Sequence, residues 1–206
     1  MRSALSVLLL LAAGGTAQAQ DCLNQIRFPE VGRWAEYKTV YNGQDPSTVR
    51  YAVIGGETRG GKKLKWLELS LTGEKKDRTF IYQMLVPGSP AQMGEVQEII
   101  FKAGDKPAMK MNGMMMNMIR GQVEKQNFFR DVCKDVTALG MEKVSVPAGK
   151  FLARHFHSPK YESDSWVTPA VPFSLVKSVG KNYQMELAVH GKGAKSSITE
   201  QPKEMQ

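Results

Sequence analysis

The chain has 206 residues, 42% of them hydrophobic and 23% charged, with a net charge of +8. That length buries a full core without a metal or several disulfide staples. The positive charges are scattered, with only short pairs such as Lys62-Lys63 and Lys75-Lys76, and no arginine-rich arm or basic helical stripe argues for a nucleic-acid partner.

Residues 1–19 read as an export signal. Arg2 supplies the positive start, Leu5 to Ala13 a short apolar run, and Ala17-Gln-Ala19 an A-x-A cleavage site. The apolar run is too short to span a bilayer, and no later segment is long enough. Gln20 and Asp21, not a small residue, precede Cys22, which argues against lipidation there. The expected mature protein is therefore periplasmic, begins near Gln20 and forms a single domain over 20–206. Its basic charge suits peripheral contact with an anionic membrane surface, or simply solubility. Cys22 and Cys133 are the chain's two cysteines. In an oxidising compartment one pair permits one intramolecular bridge, and closing so long a loop contributes about 4–5 kcal/mol in the chain-entropy account.

Asp21–Arg27 suits one helical turn before Pro29. Strands follow over Trp34–Tyr41, Val49–Ile54, Leu64–Leu71 and Phe80–Val86, each with β-branched or aromatic residues and a turn signal at its end. The last of these carries apolar residues on both faces, as a central strand does. Trp34 and Trp66 are expected to be largely buried. In the middle, Met93, Val96, Ile99 and Ile100 recur at three- and four-residue spacing, which favours an amphipathic helix, although Glu95–Lys102 also reads as a β segment. A methionine-rich run, Met109 to Ile119, and a polar run to Arg130 come next. An antiparallel meander then occupies Met141–Val146, Phe151–His157, the run Asp164–Phe173, Ser174–Val179 and Tyr183–Val189. In its last strand Tyr183, Met185, Leu187 and Val189 share one face. A short strand and a tail end the chain.

The stretch Gly56-Glu-Thr-Arg-Gly-Gly61-Lys62-Lys63 nearly spells a phosphate-binding loop. Such a loop needs a hydroxyl after the lysine and a helix behind it; here Lys63 and a strand follow, so a hairpin turn is expected. His155 and His157 lie two apart on a strand and face the same side. That arrangement presents two imidazoles to a metal if His190 or a carboxylate completes the set, or it forms a polar solvent face beside Arg154 and Lys160. No nucleophile elbow, H-E-x-x-H or C-x-x-C motif is present, and the chain is read as non-enzymatic, without cofactor. The methionines crowd most at Met109, Met111, Met114, Met115, Met116 and Met118. Thioethers at this spacing suit Cu(I); flexible thioethers equally suit core packing or a lid over an apolar ligand.

A resemblance adds to this. Gly32-Arg-Trp-Ala-Glu-Tyr37, Trp66-Leu-Glu-Leu69, Val146-Pro-Ala-Gly149, Asp164-Ser-Trp166, Val171-Pro-Phe173 and Val176-Lys177 resemble an uncharacterised family of exported Gram-negative proteins. That family is similar in pattern to the LolA/LolB-like periplasmic lipoprotein carriers. The resemblance implies a mainly β fold with some α: a curved, open antiparallel β-barrel, or half-barrel, with a helical plug or lid. It implies a carrier that holds an apolar ligand, such as lipoprotein acyl chains, in the concavity. The expected contact residues are Met109, Met111, Met114, Met115, Met116 and Met118 with Trp66 and Tyr82. A soft-metal binder, or an envelope-interaction protein without a small ligand, is the alternative.

Overall fold

The structure, a computed structural model, describes residues 21–73, 79–88, 95–111, 113, 116–117, 133 and 135–205. The expected export signal, Met93, Met114, Met115, Met118 and the polar run to Arg130 lie outside the described residues. Among the described residues twelve strands form one sheet: β1 Trp34–Tyr41, β2 Ser47–Arg59, β3 Lys62–Thr72, β4 Thr79–Pro87, β5 Glu98–Ala103, β6 Met109–Lys110, β7 Thr137–Val146, β8 Gly149–Ser158, β9 Ser163–Val167, β10 Leu175–Gly180, β11 Tyr183–Gly191 and β12 Lys203–Glu204. Their spatial order is β12-β6-β5-β4-β3-β2-β1-β11-β10-β9-β8-β7. The sheet is mainly antiparallel and does not close; the β12–β6 pair is parallel.

Two meanders meet where β1 pairs with β11. Each is built from local hairpins, which is why the strand periodicity was legible. The β2–β3 turn is Gly60-Gly61, with φ of +54° and +76°, the paired left-handed geometry that two-residue hairpins favour. This is the hairpin expected where the sequence nearly spells a phosphate loop. At the far end the sheet rolls back on itself. The turn between β7 and β8 donates from the Ala148 amide to the Leu187 carbonyl of β11 at 3.1 Å.

The N-terminal half of the sheet buries both faces. On one face Val53, Leu67 and Ile99 join a core with Tyr37, Leu187, Phe156 and the Cys22–Cys133 disulfide. On the other, Ile81, Ile100, Ala108 and Ile198 form a smaller cluster with Trp66 against it. This overturns the helix favoured over Met93–Ile100. Ile99 and Ile100 are adjacent because β5 sends one into each core, and a strand buried on both sides loses its alternation. The run Asp164–Phe173 is likewise not one strand. It stops after Val167, and Pro169 and Pro172 carry a loop into β10. Trp34 and Trp66 are partly buried. Trp34 lies across Gly191, where a Cβ would sit 2.9 Å from its ring, and an arginine, Arg50, covers it at 4.9 Å.

The C-terminal segment after β11 lies over the smaller cluster. Glu68, 0% exposed, fastens it: one carboxylate accepts from the Ser197 amide at 2.9 Å, the Ser197 hydroxyl at 2.7 Å and Gln83 Nε2 at 2.8 Å. Arg50 stands 3.6 Å away. A buried carboxylate persists only when it is paired and hydrogen-bonded in this way.

Candidate functional site

The described methionines of the rich segment belong to packing. Met111 and Met116 are buried in the main core with the disulfide. Met109 is half-buried on β6, paired with Phe101. Gly113, Met116 and Asn117 are helical. Tyr82 lies on the same sheet face as this core, its ring 5.0 Å from that of Phe101. Trp66 lies on the opposite face, paired with Leu85, and its indole donates to Glu57 Oε2 at 3.2 Å. The structure therefore brings Tyr82, Met109, Met111 and Met116 to one face and sets Trp66 apart. A shift of one residue in strand parity makes that difference.

His155 and His157 do converge, but on a carboxylate. Asp164 Oδ1 is 2.7 Å from His155 Nε2 and 3.1 Å from His157 Nδ1. Glu142 stands 3.1 Å from His155 Nδ1 and accepts from the Trp166 indole at 2.7 Å. Trp166 stacks on His155 with centroids 4.4 Å apart. These contacts tie β7, β8 and β9 together. Among the described residues no group of three or more His, Cys, Asp or Glu is arranged to hold a metal ion.

A cavity lies elsewhere, at the end of the sheet where β1 begins and β11 ends. It has a volume of about 510 Å³. The N-terminal arm, Arg27 to Arg33, forms one wall; the loop between β9 and β10 forms the floor; Lys192 and Gly193 close the remaining side. Several tethers hold the arm, among them the bond from the Gly32 amide to the Val53 carbonyl at 2.7 Å. The Cys22–Cys133 bridge spans 111 residues of sequence. The Arg27 amide donates to Ser174 Oγ at 3.0 Å. Lys65 Nζ donates to the Pro29 carbonyl at 2.8 Å and lies over the Phe28 ring.

The floor is strained. Phe173 and Ser174 both have φ of +61°, a left-handed conformation that bulky side chains rarely adopt and that costs roughly 1–2 kcal/mol per residue. It persists because the loop is bonded from both ends. The Thr168 amide donates to the Ser174 carbonyl at 2.8 Å, and the Ser174 amide to Val171 at 3.1 Å. The result turns the Phe173 ring inward, 6.1 Å from Phe28 and 5.7 Å from Tyr51, with Tyr37 beyond at 5.9 Å from Tyr51. The floor of the cavity thus continues as a row of rings into the main core. Strain of this kind collects at ligand sites. The two prolines flanking Val171 were the available signal; they mark a rigid loop but give no hint of what faces it.

No family model and no curated protein matches the chain. Two of the solved structures similar to it are as follows. One is a Bacteroides fragilis protein described as exported with a YmcC-like fold, at 11% identity and a TM-score of 0.42, covering 81% of this chain and 99% of that one. The other is a Parabacteroides distasonis protein described as a lipoprotein, at 13% identity and a TM-score of 0.39, covering 81% and 98%.

Proposed function

We propose that this is a periplasmic binding protein, not an enzyme, that holds an apolar, acyl-like ligand. The cavity carries this reading. Its volume falls within the range of small-molecule sites, roughly 300–1,000 Å³, and Val171, Pro172 and Phe173 give it a buried apolar floor. The reading differs from a pure half-barrel carrier in where the ligand enters. It enters between the N-terminal arm and the β9–β10 loop. Met111 and Met116 then serve as the plug that fills the main core behind it. Export rests on the A-x-A signal together with a disulfide that an oxidising compartment maintains.

The test is lipid extraction and mass spectrometry of the protein purified from the envelope fraction, with decanol titration of the delipidated protein. Acyl species at about one per chain, or saturable decanol binding lost in Phe173→Ala, is the expected result. The absence of both co-purifying lipid and saturable decanol binding overturns the proposal.

A further inference from the structure

We infer that the ligand is an amphiphile with an anionic head, a carboxylate or a phosphate, bound by Arg27, Arg33 and Lys192 while its chain lies on Phe28, Val171 and Phe173. This rests on the binding reading above and adds the chemistry of the head.

The arginines carry the argument. Five are described. Arg50 faces Glu68 at 3.6 Å, Arg59 faces Glu98 at 2.9 Å, and Arg154 faces Asp21 at 2.8 Å. Arg27 and Arg33 make no ion pair among the described residues, and both line the cavity. Lys192, the third cation of the lining, also makes none; its carbonyl is the group engaged, accepting from the Trp34 indole at 3.3 Å. Glu30 is the one carboxylate in the lining. Among the described residues the other three arginines are thus paired, and two guanidiniums and an ammonium are left together at one opening.

Depth sorts the lining by polarity. Arg27 and Lys192 are exposed and Arg33 half-buried, whereas Val171, Pro172 and Phe173 are buried. Cations at the rim over an apolar floor match a ligand with a charged head and an aliphatic body. Guanidiniums bind carboxylate and phosphate oxygens through two parallel hydrogen bonds, and clustered cations at a low-dielectric opening draw anions toward it.

The experiment titrates the mature, oxidised protein with decanoate, decyl phosphate, decanol and inorganic phosphate by calorimetry. Alongside it run the Arg27→Gln/Arg33→Gln double variant and Lys143→Gln, an exposed cation away from the cavity. Decanoate or decyl phosphate should bind about tenfold more tightly than decanol, with the advantage shrinking as salt rises. The double variant should erase that advantage, leave decanol binding intact and keep the thermal midpoint, while Lys143→Gln changes nothing. Whichever anion binds more tightly identifies the head as carboxylate or phosphate. Equal binding of decanol and both anions overturns the anionic head and leaves the apolar reading standing. Inorganic phosphate binding as tightly as decyl phosphate overturns the amphiphile. Failure of all three alkyl probes overturns both.

Discussion

The N-terminal arm and the C-terminal segment cover opposite faces of the same sheet. The arm reaches the main core through Cys22 and Ile26. The C-terminal segment reaches the smaller cluster through Ile198. The arm is held by a covalent bond, hydrogen bonds at Arg27, Pro29 and Gly32, and apolar contact. The segment is held by a buried carboxylate whose acceptor sites are taken by Ser197 and Gln83. Directional bonds to a buried charge fix a segment in one place and leave no freedom between it and the sheet. The arm is bonded at separate points, Cys22, Arg27, Pro29 and Gly32, and the cavity lies between the stretch from Arg27 to Arg33 and the β9–β10 loop. The lesson is that a covering can be strong without being close.

Three substitutions sharpen this contrast. The largest effect is expected from the Cys22→Ala/Cys133→Ala pair. Opening a loop that spans 111 residues should cost about 4–5 kcal/mol by the entropic account. Urea unfolding checks this, with cavity binding weakened in the same variant because the arm loses its anchor. A loss no larger than that of a surface substitution would show that apolar contacts alone hold the arm.

Next comes Glu68→Ala, expected to cost roughly 3 kcal/mol because it leaves Arg50 without its carboxylate and the Ser197 amide without its acceptor. Decanol binding should persist in this variant. Hydrogen exchange should rise at Ser197 and Ile198 while the amides of 26–33 stay as protected as before. Exchange rising equally in both segments would erase the distinction between the two coverings.

The smallest effect concerns the row of rings under the cavity. Tyr37, 1% exposed, donates its hydroxyl to the Leu175 carbonyl at 3.1 Å. Burial, and then the neighbouring Tyr51, raise its pKa far above the usual phenol value. Tyr51 is pushed up to about 12, chiefly by burial and then by Tyr41. An unfolded tyrosine ionises near 10. Above that pH the unfolded chain releases protons that the folded chain keeps, so this contribution is complete below pH 10 and is lost as pH rises from about 10 through 12 and beyond. Tyr37→Phe should cost about 1 kcal/mol at neutral pH and flatten the alkaline fall in stability. Unfolding curves on both sides of pH 10 test it; an unchanged alkaline slope would mean that Tyr37 ionises freely in the folded state.

Much of the architecture was readable from residue order. β1, β4, β7, β8 and β11 alternate or carry β-branched runs between turn residues, and a hairpin depends on little beyond such local chemistry. With two cysteines the bridge had one possible partner assignment. The helix expected near Ile99 failed because periodicity records how many faces are buried, not which element buries them. Ile99 and Ile100 satisfy both patterns until a second layer, the C-terminal segment, is known to lie above Ile100. Trp66 was grouped with Tyr82 and the methionines because sequence shows that each is large and apolar. Facing is set by register, and register is a property of paired strands.

The candidate site was the least legible part. Arg27, Arg33 and Lys192 are ordinary surface cations when read one at a time, and Phe173 is one aromatic after a proline. Local sequence by itself determined most of the strands, their turns and the disulfide, since each depends on neighbours in the chain or on the count of one residue type. The tertiary structure alone decided that Arg50, Arg59 and Arg154 meet carboxylates while Arg27 and Arg33 do not. Ion pairing is a matter of distance in space, and the partners lie between 2 and 133 positions apart along the chain.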